Sequence, residues 1–151
     1  MGNLLIREGR AAEIMLVEDN RGDVLLASRA FKEAQFENRL TVADTAEKAL
    51  AMLRATLAEG IRLPDIILQD LNLPGMSGSE LLAIIKDDSA LRHIPVIILS
   101  SSAAETDVNG SYDRHANAYI VKPVDLEKFR DVIASIEQFF FILAVLPSDR
   151  D

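Results

Sequence analysis

The chain has 151 residues, 49% of them apolar, no cysteine and a formal charge of −8. That is enough apolar material for one folded domain, and an acidic balance with no Lys/Arg cluster argues against nucleic acid as a direct partner. There are no disulfides or thiolate metal sites, no legible signal peptide, and no apolar stretch near the roughly 20 residues that span a bilayer, so a cytoplasmic protein without membrane contact is expected.

The first apolar run, Ile14-Met15-Leu16-Val17, predicts a buried strand over residues 12–18. Val24, Ala27, Phe31 and Ala34 recur at helical spacing and predict a helix over 21–35. A short strand over 40–43 follows. Asp44 with Glu47 three residues on reads as a capping box, opening a helix that runs to about residue 58 and stops at Gly60. The third strand, 65–69, contains Ile66-Ile67-Leu68 and leads into Asp70 and the turn Leu71-Asn72-Leu73-Pro74-Gly75. Ser77-Gly78-Ser79-Glu80 is a second capping box, with a helix through residue 86. A fourth strand over 95–99, a weak helical pattern over 103–114 and a fifth strand over 118–121 come next. From Asp125 onward, Leu126, Phe129, Ile133, Ile136, Phe140 and Leu143 step by three and four, the pattern of a strong amphipathic helix.

Five strand–helix units with continuously apolar strands predict an α/β fold, a doubly wound parallel sheet with helices on both faces. The flavodoxin-like order 2-1-3-4-5 puts strands 1 and 3 side by side at the switch point, with the ligand crevice at their carboxyl ends. The whole chain reads as a single domain with its core over about 12–141 and no output domain. The five-stranded sheet carries an apolar C-terminal extension over about 139–147.

That topology gathers four distant strand ends. Glu18 and Asp19 end the first strand, Asp70 the third, Ser100 the fourth and Lys122 the fifth. Carboxylates this close repel one another unless something compensates them, and Mg²⁺ suits a few carboxylates, retained waters and a phosphate. Lys122 adds a positive charge for a phosphoryl oxygen and Ser100 a hydroxyl donor. Asp70, central in the set, is the candidate nucleophile, since carboxylates form acyl phosphates. Singly, each residue has a plainer reading: Asp70 as a turn residue, Lys122 as a solvated charge, Tyr119 as packing. Their joint placement favours function. His93 and His115 show no partner pattern and read as surface or capping residues, and Glu47 and Glu80 read as helix caps. A flavin protein of the same fold, an aspartate-based phosphatase and a scaffold that never uses its acceptor are the alternatives. The first would want a Ser/Thr/Gly-rich loop after strand 1, and the second an Asp-x-Asp after the first strand rather than the third.

Glu18-Asp19-Asn20, Asp70 with Leu71-Asn72-Leu73-Pro74-Gly75-Met76-Ser77-Gly78, Ser100 and Lys122-Pro123 together resemble the response-regulator receiver domain of two-component signalling. The resemblance implies Asp70 as phosphoacceptor for a sensor histidine kinase. It implies Mg²⁺ held by Glu18, Asp19, Asp70 and the backbone carbonyl of Asn72. Ser100 becomes the switch hydroxyl, with Ser101 and Ser102 beside it as competitors that strand phase disfavours. Lys122 becomes the phosphoryl-binding cation, Tyr119 the switch aromatic, and Lys122–Pro123 the place of a cis peptide. The segments Glu18-Asp19-Asn20-Arg21-Gly22-Asp23, Asp70-Leu71-Asn72-Leu73-Pro74 and Ala116-Asn117-Ala118-Tyr119-Ile120-Val121-Lys122-Pro123-Val124-Asp125-Leu126, with an apolar tail, are also similar to the small stand-alone regulators paired with bacterial phytochromes, which points to a bacteriophytochrome as the kinase partner. Gln69 departs from the family pattern, in which an aliphatic residue commonly precedes the acceptor.

Eight consecutive apolar residues, Phe139 to Leu146, exceed what one amphipathic stripe needs. Phe139, Phe141, Ile142, Val145 and Leu146 are therefore expected at a homodimer interface, because exposed apolar patches mark contacts. The plainer alternative is that the segment folds back on its own domain.

Overall fold

The computed structural model describes residues 11–101, 104–122 and 125–138. Strands β1 (Ala12–Val17), β2 (Asn38–Ala43), β3 (Ile66–Gln69), β4 (Val96–Ser100) and β5 (Ala118–Val121) alternate with helices α1 (Arg21–Lys32), α2 (Ala46–Ala58), α3 (Gly78–Asp87), α4 (Glu105–Asp113) and α5 (Leu126–Ile136). All pairings are parallel and the order is β2-β1-β3-β4-β5, as the sequence predicts.

Alternation along each strand divides the core in two. Ile14, Leu16, Ile66, Leu68, Ile97 and Leu99 face Ala27, Phe31, Phe129, Ile133 and Ile136 of α1 and α5. Met15, Val17, Ile67, Val96 and Ile98 face Leu50, Leu53, Leu81, Leu82 and Ile85 of α2 and α3. β3 and β4, packed on both faces, are buried throughout and apolar up to their last residues, Gln69 and Ser100.

Helix α1 ends at Lys32, short of the expected residue 35, and Asn20 caps its start by accepting from Asp23 N at 2.9 Å. At α2 the cap is Thr45, whose hydroxyl accepts from Lys48 N at 3.0 Å; Asp44 lies one residue outside and pairs with Lys48 Nζ at 2.9 Å. The Asp44–Glu47 capping box is thereby corrected: a β-region residue with a side-chain oxygen is what the cap requires, and Thr45 holds that place. The Ser77–Glu80 box forms as expected, and Asp125 caps α5. His93 and His115 are both exposed, and His115 follows α4 in the left-handed region, a terminating position. The cis expectation at Lys122–Pro123, Ser102, and the arm with Phe139, Phe141, Ile142, Val145 and Leu146 lie outside the described residues.

Candidate functional site

Parallel register brings the carboxyl ends of β1, β3, β4 and β5 to one edge of the sheet. Glu18 follows β1 directly and is buried; its N–H donates to Ala43 O at 3.0 Å, continuing the ladder. Asp70 follows β3, is 7% exposed, and donates its N–H to Val17 O at 3.1 Å. Lys122 follows β5 and is held to β4 by a bond from its N–H to Ser100 O at 2.6 Å. Each functional side chain thus sits one residue past a strand whose hydrogen bonds fix its backbone.

Three carboxylates converge on one ammonium. Lys122 Nζ donates to Glu18 Oε1 at 2.6 Å, Asp23 Oδ2 at 2.8 Å and Asp70 Oδ2 at 3.2 Å. The second Glu18 oxygen accepts from Asn20 N at 3.1 Å, and Asp70 Oδ1 accepts from Asn72 N at 3.2 Å. Burial works against the charge of Lys122, but the bonds to Asp23 and Glu18 prevail and hold it protonated well above the ordinary lysine range. At Glu18 burial prevails instead and pushes the carboxyl up; Lys122 and the Asn20 N–H pull it down, and the nearby Asp70 charge adds to the rise. The contrast is physical: one ammonium is favoured by all three acids, while each acid has only a share of it.

Glu18, Asp70 and Lys122 therefore come together. Asp19 and Asn72 are exposed at the mouth of the crevice. Ser100 is the last residue of β4 and fully buried, in the strand phase of Ile98; Ser101 beside it is exposed. Tyr119, partly buried against the α3 side of the core, lies in β5, and its N–H donates to the Tyr112 hydroxyl of α4 at 3.1 Å. Asp23 is the site residue that sequence reasoning missed. It closes the segment Glu18-Asp19-Asn20-Arg21-Gly22-Asp23 but was given no role there, because an acid in the first turn of α1 is normally credited to the helix dipole.

The acceptor loop is also tied from outside. Glu47 Oε2 accepts from Met76 N at 3.0 Å, so its carboxylate reaches this loop instead of closing a capping box with Asp44. Gly75 beside it has φ +74°, a conformation that glycine adopts without strain.

The donor set suits a hard divalent cation. Glu18, Asp23 and Asp70 share one lysine, with Asp19 exposed beside them, so the acidic side chains outnumber the cation. Among the described residues no group of three or more acidic or histidine side chains is placed to hold a metal ion by itself. An open site of this kind fits Mg²⁺-type coordination, in which one or two carboxylates, waters and phosphate oxygens share the ion. Among the described residues no helix is long and apolar enough to cross a membrane.

Residues 14–134 match the family model of the response regulator receiver domain. The probable methanogenesis regulatory protein FilR2 of Methanothrix harundinacea is 35% identical over 127 residues, 84% of this chain and 82% of that one. Response regulator Rcp1 of Synechocystis sp. is 35% identical over 136 residues, 89% of this chain and 92% of that one. Its Mn²⁺-bound crystal structure superposes with a TM-score of 0.79, covering 90% and 99% of the two chains. The phosphorylated cyanobacterial phytochrome response regulator RcpA gives a TM-score of 0.83 at 39% identity, covering 91% and 99%.

Proposed function

This chain belongs to the response-regulator receiver family, and from that premise we propose that it is a phosphoryl-accepting switch: a sensor histidine kinase transfers a phosphoryl group to Asp70, and the new charge reshapes a protein-binding face. The observation that supports this most is the convergence of Glu18, Asp23 and Asp70 on the Lys122 ammonium at the end of the sheet. A carboxylate oxygen of Asp70 attacks the phosphorus of a phosphohistidine. The P–N bond breaks, its electron pair returns to the imidazole, which takes up a proton, and an acyl phosphate is left on Asp70.

Glu18, Asp19, Asp70 and the Asn72 carbonyl would hold Mg²⁺, which supplies charge neutralisation at the transferring phosphoryl oxygens. Rcp1 in its Mn²⁺-bound form supports a divalent ion in a related site. Lys122 exchanges a carboxylate partner for a phosphoryl oxygen, and its high basicity keeps it a donor throughout. Phosphorylation replaces one negative charge by about two, which draws the Ser100 hydroxyl inward. Tyr119 follows, and the face of α4, β5 and α5 changes with it.

A kinase of the bacteriophytochrome type is the proposed donor, supported by the likeness to the phytochrome regulator RcpA. The protein works as a single cytoplasmic receiver unit whose output is a protein contact. It forms a homodimer through Phe139, Phe141, Ile142, Val145 and Leu146, an apolar set too large for one helix stripe.

Incubation with acetyl phosphate followed by intact mass measurement tests this. One phosphoryl adduct is expected with Mg²⁺, far less without it, and none on Asp70→Asn. Equal labelling of Asp70→Asn would remove Asp70 as the acceptor.

A further inference from the structure

Every side chain of β3 is buried, yet the strand ends in an amide. Gln69 is 0% exposed and pairs in the sheet with Val17 and Ile98. Strand alternation puts it on the same face as Ile67, against α2 and α3. An aliphatic side chain would fill that place without burying a polar group. The amide makes one bond, from Nε2 to Gly78 O at 2.7 Å. A carbonyl can only accept, so this bond fixes which end of the amide faces Gly78. Oε1 then points where no donor among the described residues reaches it. A buried acceptor without a donor costs stability, so the single bond comes with a penalty of its own size.

What the bond joins is specific. Gly78 is the first residue of α3 and closes the loop that starts at Asp70. Its N–H donates to Leu71 O at 2.9 Å. Its Cα lies so near the Asp70 carbonyl that a Cβ there would overlap that oxygen. Gln69 and Gly78 thus clasp the two ends of the loop, and within it Asn72 N holds Asp70 Oδ1. Glu47 anchors the far side through Met76 N.

We infer that Gln69 is a positioning residue: it is kept at the expense of the core because its bond to Gly78 O closes the neck of the acceptor loop and sets the Asp70 carboxylate and the Asn72 carbonyl for a divalent cation. The inference rests on the reading of this loop as the acceptor loop, but its test does not depend on phosphorylation. Gln69→Met keeps the volume and removes both polar atoms; Gln69→Leu is run beside it in case one of them folds poorly. Thermal melting is recorded against Mg²⁺ concentration, and amide hydrogen exchange is read by mass spectrometry.

The folded variant is expected to melt at or above the wild-type temperature without Mg²⁺. Exchange over residues 71–77 should be about tenfold faster with α5 unchanged, and the Mg²⁺ concentration at half of the melting shift should rise about tenfold, the low end of what losing a partner that orients metal ligands costs in affinity. An unchanged Mg²⁺ requirement overturns the inference whatever exchange does, and so does unchanged exchange in the loop. Failure of wild type to take a phosphoryl group would count against Asp70 as acceptor and leave both of these readouts standing.

Discussion

Glu18 is where the site and the fold pull in opposite directions. Its carboxyl is buried and held above the ordinary glutamate range because burial outweighs its share of Lys122. A group whose folded-state pKa is raised adds stability below its unfolded value and loses it as pH rises through the folded value. Above that folded value the ionised side chain therefore works against the fold. Glu18→Gln is expected to melt above wild type at pH 7 in metal-free buffer, with the gap closing as the pH falls through the raised Glu18 pKa. Added Mg²⁺ should narrow the gap as well, because a cation compensates the same charge. A lower melting temperature for the variant would mean that the Lys122 ion pair outweighs burial. Asp70, Glu18 and Lys122 were legible in the sequence because each ends an apolar run. Asp23 was not, because a first-turn acid has a sufficient local explanation, and its bond to Lys122 spans 99 positions.

Strand ends and helix starts follow different local rules, and the two were not equally readable. β1, β3 and β4 are almost wholly buried and nearly continuous in apolar residues, and β5, only partly buried, carries the run Tyr119-Ile120-Val121, so all four stood out with their ends nearly in place. Helix starts depend on one residue's backbone conformation, which spacing alone does not give. Asp44 and Thr45 both carry a capping oxygen, but it is the hydroxyl of Thr45, a residue in the β region, that accepts from Lys48 N. Thr45→Ala is expected to cost about 1 kcal/mol in a denaturant melt, the usual loss for an N-cap. Asp44→Ala should leave the midpoint where it is, since its pair with Lys48 is solvent-exposed. The reverse result would restore Asp44 as the cap. Glu47 shows the same limit from the other side. Three residues past Asp44 it looks like half of a capping box, yet its carboxylate serves Met76, 29 positions away.

At the scale of the molecule, the order β2-β1-β3-β4-β5 turns separated motifs into one crevice, and that order was legible because few parallel arrangements accommodate five strand–helix units. The proposed assembly rests on a different part of the chain, the apolar residues from Phe139 to Leu146. A chain ending at Gln138 is expected to elute as a monomer and the full chain as a dimer. Equal elution of the two would place the apolar residues against their own domain. The central claim is that Asp70, at the end of β3, takes the phosphoryl group. Treatment with acetyl phosphate and Mg²⁺, reduction with borohydride and peptide mapping test it most directly, because reduction converts an aspartyl phosphate to homoserine at the residue that carried it. Homoserine is expected at position 70 and at no other acid of the crevice. Homoserine at position 19 or 23, or none in a protein that takes up phosphoryl groups, would contradict it.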